Sequence, residues 1–177
     1  MADLTVLILT MNEEKNIVRC INSVRKIAKR IIVVDSGSTD RTIELAKKNS
    51  ADVIEHNPFV NYATQFNWSL DNSGIDTKWV LRLDADEQVT PELAAEIDKE
   101  LTAHDGDDIN GFEVRCRIIF MGKWLRYATT YPLIIPRIFR YGYGKVENRK
   151  MDEHTLIDGK VLCLKNDLVH YDFKGLH

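Results

Sequence analysis

Cysteine is scarce in this sequence, and Cys20, Cys116 and Cys163 stand far apart. Three scattered thiols make neither a disulfide framework nor a zinc spacing, so a reduced, cytosolic protein is the simple reading. Neither sign of charge dominates. Lys and Arg number 24 against 27 Asp and Glu, a formal net charge of -3, so there is no global basic field for nucleic acid. Long apolar runs are missing, and none nears the ~20 residues that span a bilayer. "MADLTVLILTMNEE" is apolar for only a few residues and has no basic n-region, so a signal peptide is not expected. Glycine-rich phosphate loops are missing too. No G-x-G-x-x-G follows the first apolar run, and neither G-x-x-x-x-G-K-[ST] nor G-x-S-x-G occurs anywhere. That argues against dinucleotide oxidoreductases, P-loop enzymes and nucleophile-elbow hydrolases.

What remains is 177 residues, 44% apolar and 29% charged, enough for one globular domain with a sizeable core. "LTVLIL" (Leu4–Leu9) reads as a central strand buried on both faces. From Glu13 the period changes, with Ile17, Cys20, Ile21, Val24, Ile27 and Ala28 at helical spacing. "IIVV" (Ile31–Val34) is a second buried strand, and Ser38 or Thr39 is a candidate cap for a helix through about Lys48. A short strand over Asp52–Glu55, a helix over Tyr62–Leu70 and a strand over Trp79–Leu83 follow. Thr90 then Pro91 reads as an N-cap and first helical residue. Strand and helix thus alternate to about residue 101, the grammar of a parallel sheet covered on both faces. Beyond the polar break "AHDGDDING" the pattern is of short strands: one around Phe112–Ile118, then Leu133–Arg140, Val161–Leu164 and Leu168–Tyr171. The expected fold class is α/β, with residues 1–102 as a nucleotide-binding half and 103–177 as a mixed or antiparallel half.

In open α/β sheets ligands bind beyond the carboxyl ends of the strands. Three polar stretches sit at such ends: "TMNE" (Thr10–Glu13), Asp35 in "DSGSTD", and Asp84 in "LDADE". The "DSGSTD" loop alone also reads as a plain turn, with Gly37 supplying a permissive backbone; as a site, Asp35 would accept from a base N–H or a ribose hydroxyl. Asp84, Asp86 and Glu87 crowd into four positions, where like charges ~4 Å apart repel by roughly 4 kcal/mol at an effective dielectric of 20. Such a cluster needs a cation, a donor network or open water. In an extended chain Asp84 and Asp86 would point the same way across Ala85. Two oxygen ligands with open positions suit Mg2+ or Mn2+ bound together with a diphosphate. The bland alternative is a solvated acidic turn before a capped helix.

The first strand running into T-x-N-E-E, the second ending in "VVDSGSTD" and the fourth ending in "LDADE" together resemble family 2 glycosyltransferases of the GT-A fold. The later "RIFR", "MDEHTLIDGKV" and "HYDF" are similar to bacterial enzymes of lipopolysaccharide core or capsule synthesis. The resemblance implies one GT-A catalytic domain and inverting transfer of a sugar from a nucleotide-sugar donor, UDP being the commoner nucleotide. The acceptor it implies is a saccharide or lipid-linked saccharide, and peripheral contact with the cytoplasmic face of the inner membrane is open. By the same likeness Thr10, Met11, Glu13, Asp35 and Asp84 line the nucleotide pocket. Asp86 is the main ligand of Mg2+ or Mn2+, with Gln88 and His170 as further ligands, and Glu153 is the catalytic base. The sequence departs from the family pattern at Leu9 (usually proline), Met11 (tyrosine), Phe66 (a basic residue) and Asp152 (histidine). It also ends at His177, where relatives continue into helix, as a truncated chain would.

Other readings stay open at this stage. A sugar nucleotidyltransferase also joins a nucleotide fold to Mg2+, but "LTMNEEKN" lacks the glycine of its signature. A receiver-like domain has an acidic pocket at strand ends, yet leaves Glu153 and the second half without a role. "FMGKWLRYATTYP" (Phe120–Pro132) mixes aromatic and basic residues. It suits an acceptor sugar, anionic headgroups, or a plain surface hairpin with snorkelling side chains.

Overall fold

The computed structural model describes residues 2–56, 59–126, 131–147 and 154–172. In chain order the elements are β1 (Leu4–Thr10), α1 (Ile17–Val24), β2 (Arg30–Asp35), α2 (Thr42–Lys48), β3 (Asp52–Glu55), α3 (Tyr62–Asn72), β4 (Trp79–Asp84), β5 (Glu87–Val89) and α4 (Pro91–Ala103). There follow β6 (Ile109–Phe120), β7 (Lys123–Trp124), β8 (Leu133–Arg140), β9 (Gly144–Val146), β10 (Thr155–Ile157) and β11 (Lys160–Asp172). One large sheet runs in the order β3-β2-β1-β4-β8-β6-β11-β5, with β7 paired on β6; β9 and β10 form a separate ribbon. β1, β2, β3 and β4 are mutually parallel, and β6 and β11 pair parallel. β8 is inserted antiparallel between β4 and β6, so the second half of the chain extends the sheet of the first.

The unbroken apolar run of β1 follows from its place in the middle. Leu4, Val6 and Ile8 pack with Ile17, Cys20, Ile21 and Val24 of α1 and with Leu93, Ile97 and Leu101 of α4. Leu7 and Leu9 face the other way, onto Phe66 and Leu70 of α3 with Val80, Phe139 and Val146. Both faces are covered, so alternation would serve nothing. Trp79 is fully buried. Trp68 is half-buried, stacked on His56 with ring centroids 3.8 Å apart.

Several boundaries differ from the sequence expectation, each for a local reason. α1 runs from Ile17 rather than from near Glu13, but the turn before it already points into the helix: the Asn16 and Ile17 N–H groups both donate to the Glu13 carbonyl at 2.9 Å, while the Glu13 and Glu14 N–H groups donate to Thr42 Oγ1 (2.8 Å) and Asp40 Oδ2 (3.1 Å) of the next loop. α2 is not opened by Ser38 or Thr39. Asp40 accepts from the Thr42 N–H at 2.9 Å, while Ser38 bonds Asp35 and Thr39 bonds Asn12. The two strands expected at 161–164 and 168–171 are one, β11, broken by a register shift between Cys163 and Asp167. The Lys165 and Asn166 N–H groups freed by that bulge both donate to the Glu96 carboxylate at 2.9 Å. The three-residue strands β5, β9 and β10 carry too little pattern to be read in advance.

At α4 the expected cap is present: Thr90 Oγ1 accepts from the Leu93 N–H at 3.2 Å, and Pro91 takes the first helical position. Thr90 Oγ1 also donates to the Asp167 carbonyl at 2.9 Å, tying the helix start to the β11 bulge. Thr90→Ala should lower stability by about 1 kcal/mol in urea unfolding, and Thr90→Ser should recover most of it. Equal midpoints for all three proteins would show that the cap contributes nothing.

Candidate active site

Because β1, β2 and β4 run parallel, their carboxyl ends share a rim. Thr10 lies beside Asp35 in the β1–β2 pairing, and Leu9 lies beside Asp84 in the β1–β4 pairing. The loops after β1 and β2 are zipped together there. Asn12, in the left-handed region at φ 55, donates its N–H to Ser38 Oγ (2.8 Å), and its side-chain oxygen accepts from the Thr39 N–H (2.8 Å). Asp35 is fully buried and organises its own loop. Its carboxylate accepts from the N–H groups of Gly37 (2.8 Å) and Ser38 (2.7 Å) and from Ser38 Oγ (2.5 Å). Gly37 sits at φ 96, a conformation that favours glycine. Beside this loop the His56 N–H donates to the Asp35 carbonyl at 2.9 Å, and His56 Nδ1 lies 2.6 Å from Gln65 Oε1.

Thr10 is buried, yet its hydroxyl has no hydrogen-bond partner among the described residues. Such a group at a site rim awaits a ligand or water. Met11 is half exposed at the same rim. Glu13 is buried, its carboxylate accepting from Asn16 Nδ2 at 2.7 Å.

The acidic turn does not continue as an extended strand. After Asp84 the chain turns through Ala85 and Asp86 into β5, so Asp84 and Asp86 meet different partners instead of sharing one strand face. The Asp84 N–H donates to Glu87 Oε2 at 3.0 Å. Arg137, from the middle of β8, donates to Asp84 Oδ2 at 3.1 Å and also to Glu87 Oε1. Burial alone would raise Asp84, but Arg137 and Arg82 outweigh it and hold the carboxyl below its usual range. Burial opposes the charge on Arg137 too, and Glu87 and Asp84 together keep it cationic. Glu87 is almost fully enclosed, and burial pushes it up to about 7 despite the guanidinium.

Asp86 faces the other way. Its carboxylate oxygen lies 3.6 Å from His170 Nδ1, both side chains being partly open to solvent. The position is fixed by the sheet: His170 pairs with Glu87 across β11 and β5, and the Tyr171 N–H donates to the Asp86 carbonyl at 3.0 Å. Burial raises the Asp86 carboxyl, His170 opposes that rise, and Asp84 and Glu13 add to it. Gln88 lies beside Val169 in the same pairing. Two of the three carboxylates, Asp84 and Glu87, share the Arg137 guanidinium, while Asp86 lies outside that pair, beside His170 at the open side. That is a place where a cation would be stabilised. Among the described residues no three His, Cys, Asp or Glu side chains converge into a ready-made metal cage. A cation here would take Asp86 and His170 from the protein and complete its shell with ligand oxygens or water, as hard divalent cations do. Glu153 and its neighbour Asp152 lie outside the described residues.

Sequence reading missed Arg137, and it placed Asn12 and Glu87 in the polar stretches at the strand ends without giving either a role of its own. For Arg137 a signal existed: a cation in the middle of the apolar strand "LIIPRIFR" must find a buried partner.

Residues 5–159 match the family model described as glycosyl transferase family 2, and the chain belongs to that family. It is 37% identical over 122 residues to an uncharacterised glycosyltransferase of Rickettsia prowazekii, covering 69% of this chain and 41% of that protein. It is 29% identical over 163 residues to the lipopolysaccharide core biosynthesis glycosyltransferase LpsC of Rhizobium meliloti, covering 89% of this chain and 58% of LpsC. The chain thus spans about two fifths of the length of its Rickettsia relative. Among solved structures it is similar to glucosyl-3-phosphoglycerate synthase of Mycobacterium tuberculosis in complex with Mn2+, UDP and glucosyl-3-phosphoglycerate. That likeness has a TM-score of 0.53 at 24% identity, over 64% of this chain and 44% of that one. The fold is GT-A, as the motifs implied.

Removing Arg137 should be costly because it strands Glu87 in the interior. Arg137→Met is expected to lose about 3–5 kcal/mol of stability, and adding Glu87→Gln should return a good part of it. Urea unfolding of the single and double variants measures this. If Arg137→Met alone unfolds at the wild-type midpoint, the guanidinium is not what holds the turn.

Proposed function

We propose that this family 2 glycosyltransferase moves a sugar, with inversion, from a nucleoside diphosphate sugar to a hydroxyl of a saccharide or lipid-linked saccharide. UDP is the commoner nucleotide, and the setting is cell-surface polysaccharide synthesis on the cytoplasmic side. The observation that carries the reading is the shared rim, where Thr10, Asp35 and Asp84 stand at three parallel strand ends and Asp86 faces His170 beside them. The likeness to LpsC over 89% of the chain supports the polysaccharide setting. Residues 1–102 would serve the donor and residues 103–177 the acceptor side.

On this reading Thr10, Met11, Glu13, Asp35 and Asp84 form the nucleotide pocket. Asp35 contributes by fixing its loop as well as by any direct bond to base or ribose, since both its oxygens already accept. Asp86 and His170, with Gln88 beside them, would hold Mg2+ or Mn2+. When bound, such a cation offsets the negative charge of a leaving diphosphate. Glu153 accepts the proton of the acceptor hydroxyl, a poor nucleophile until that proton is taken. A carboxylate with the usual Glu value of ~4.3 is ionised and ready at neutral pH. Incubation with a panel of nucleotide sugars, reading released nucleoside diphosphate, tests the whole proposal. Release from none of them, in the presence of Mn2+ and candidate acceptors, would count against it.

Two variants test the division of labour. Asp86→Ala should abolish metal-dependent nucleotide binding in calorimetry while leaving the fold intact. A wild-type protein that binds UDP equally well with and without chelator would remove the cation from the scheme. Glu153→Gln should lower kcat by at least ~10²-fold with nearly unchanged donor affinity. If that variant is fully active and Asp152→Asn is not, the base is one residue earlier.

A further inference from the structure

The β9–β10 ribbon stands apart from the main sheet. Its strands pair only with each other, with Thr155 opposite Val146 and Ile157 opposite Gly144. A two-stranded ribbon so short is not stable by itself in water, so its place is set by what it is fastened to. Its two ends are fastened differently. At the Gly144–Ile157 end the hold is steric: Gly144 lies against the Phe139 ring, where any side chain would collide, and Ile157 fills the space beside Gly111. At the other end Val146 is buried with Phe66 and Leu70 of α3, and the directional hold is polar. Asn67 Nδ2 donates to the Val146 carbonyl at 2.7 Å, and Asn67 Oδ1 accepts from the Val146 N–H at 2.9 Å. One side-chain amide thus pairs with a backbone residue as a neighbouring strand would. On the opposite strand Arg82 of β4 donates to Thr155 Oγ1 at 3.4 Å.

The clamp also accounts for an unfavourable helix residue. Asparagine is a poor choice in a helix interior because its amide competes for the helix's own backbone. Asn67 sits in the middle of α3, yet its donor and its acceptor both go to β9. The Val146 groups it meets are buried, so removing the amide would strand a backbone donor and a backbone acceptor. The polar end of the ribbon is also the end that leads into the proposed base. The Glu147 N–H donates to the His154 carbonyl at 2.9 Å, one pair beyond Val146 and Thr155, and Glu153 immediately precedes His154.

We propose that Asn67 is a positioning residue for proton transfer: by clamping Val146 it fixes, relative to the donor half, the ribbon end that leads into Glu153. The inference rests on the reading of Glu153 as the base. Asn67 needs no contact with either substrate and acts through the ribbon alone.

The test compares wild type, Asn67→Ala, Glu153→Gln and the double variant, with Asn72→Ala at the exposed end of α3 as the control. Amide exchange, UDP affinity in Mn2+ and the rate of sugar transfer are measured for each. In Asn67→Ala the amides of residues 144–147 and 154–157 should exchange at least ~10-fold faster, while β1 and α1 keep their protection. UDP affinity should not change, and kcat per folded molecule should fall about 10²-fold, as for a catalytic group misplaced by about 1 Å. Glu153→Gln already lacks the group that Asn67 positions, so the double variant should be no slower than Glu153→Gln alone. A residue that only stabilised the fold would lower the unfolding midpoint and leave kcat of the folded molecules intact. Should Asn67→Ala not fold, Asn67→Asp carries the same comparison, since it keeps the acceptor for the Val146 N–H and loses the donor to the carbonyl. Unchanged exchange in the ribbon, unchanged kcat, or effects of Asn67→Ala and Glu153→Gln that simply multiply would overturn the proposal. A fully active Glu153→Gln would instead remove the base assignment, and this proposal with it.

Discussion

Arg137 is the charge on which the site depends. It comes from β8, in the second half of the chain, and bonds Asp84 and Glu87 at the end of the first half. Without it the buried carboxylates Asp84 and Glu87 would lose their directly bonded cation, leaving Arg82 and His170 as the nearby positive groups. With it Asp84 stays ionised, the turn closes through the Asp84 N–H to Glu87, and Asp86 is turned toward His170. The insertion of β8 between β4 and β6 is therefore more than topology, because it delivers a buried cation bonded to both Asp84 and Glu87, beside the buried Arg82 of β4.

The other side of the rim is held by neutral and charge-assisted hydrogen bonds instead. Asn12, Asp35, Ser38, Thr39, Asp40 and Thr42 interlock the loops after β1 and β2, so neither loop can shift without breaking bonds in the other. Most of these acceptors take backbone N–H groups, which leaves few ways to rearrange. The Thr10 hydroxyl, buried and unpartnered among the described residues, is the exception at the centre of an otherwise satisfied network.

Much of this was legible in the sequence. The buried strands announced themselves as apolar runs because the sheet is covered on both faces, and α4 announced itself through Thr90 and Pro91. The rim was legible because strand ends are readable wherever an apolar run stops at a polar residue. What could not be read was pairing across distance. Nothing local says that Arg137 reaches Asp84, that His170 stands against Asp86, or that Asn12 reaches into the Ser38 loop, since each contact spans 26 or more residues. Local rules misled where side chains had better partners elsewhere. Ser38 and Thr39 are good cap residues by type, yet Asp35 and Asn12 claim them, the N-cap position falls to Arg41, and Asp40 accepts the Thr42 N–H from one residue earlier. In the same way the D-x-D spacing promised a shared strand face, and the turn into β5 gave the two acids separate tasks.

The electrostatics of the two halves then make sense together. A nucleoside diphosphate is an anion, and the turn it would approach carries three carboxylates against one bonded guanidinium. Approach without a cation would be repelled, and even with a cation at Asp86 the long-range field of the acidic body is unfavourable. The basic segment from Val114 to Val146 borders the same rim, beginning on β6 and returning through β8 to Arg137. One stretch of sequence thus supplies both the guanidinium bonded to Asp84 and Glu87 and the exposed cations Lys123 and Arg126 of the neighbouring hairpin.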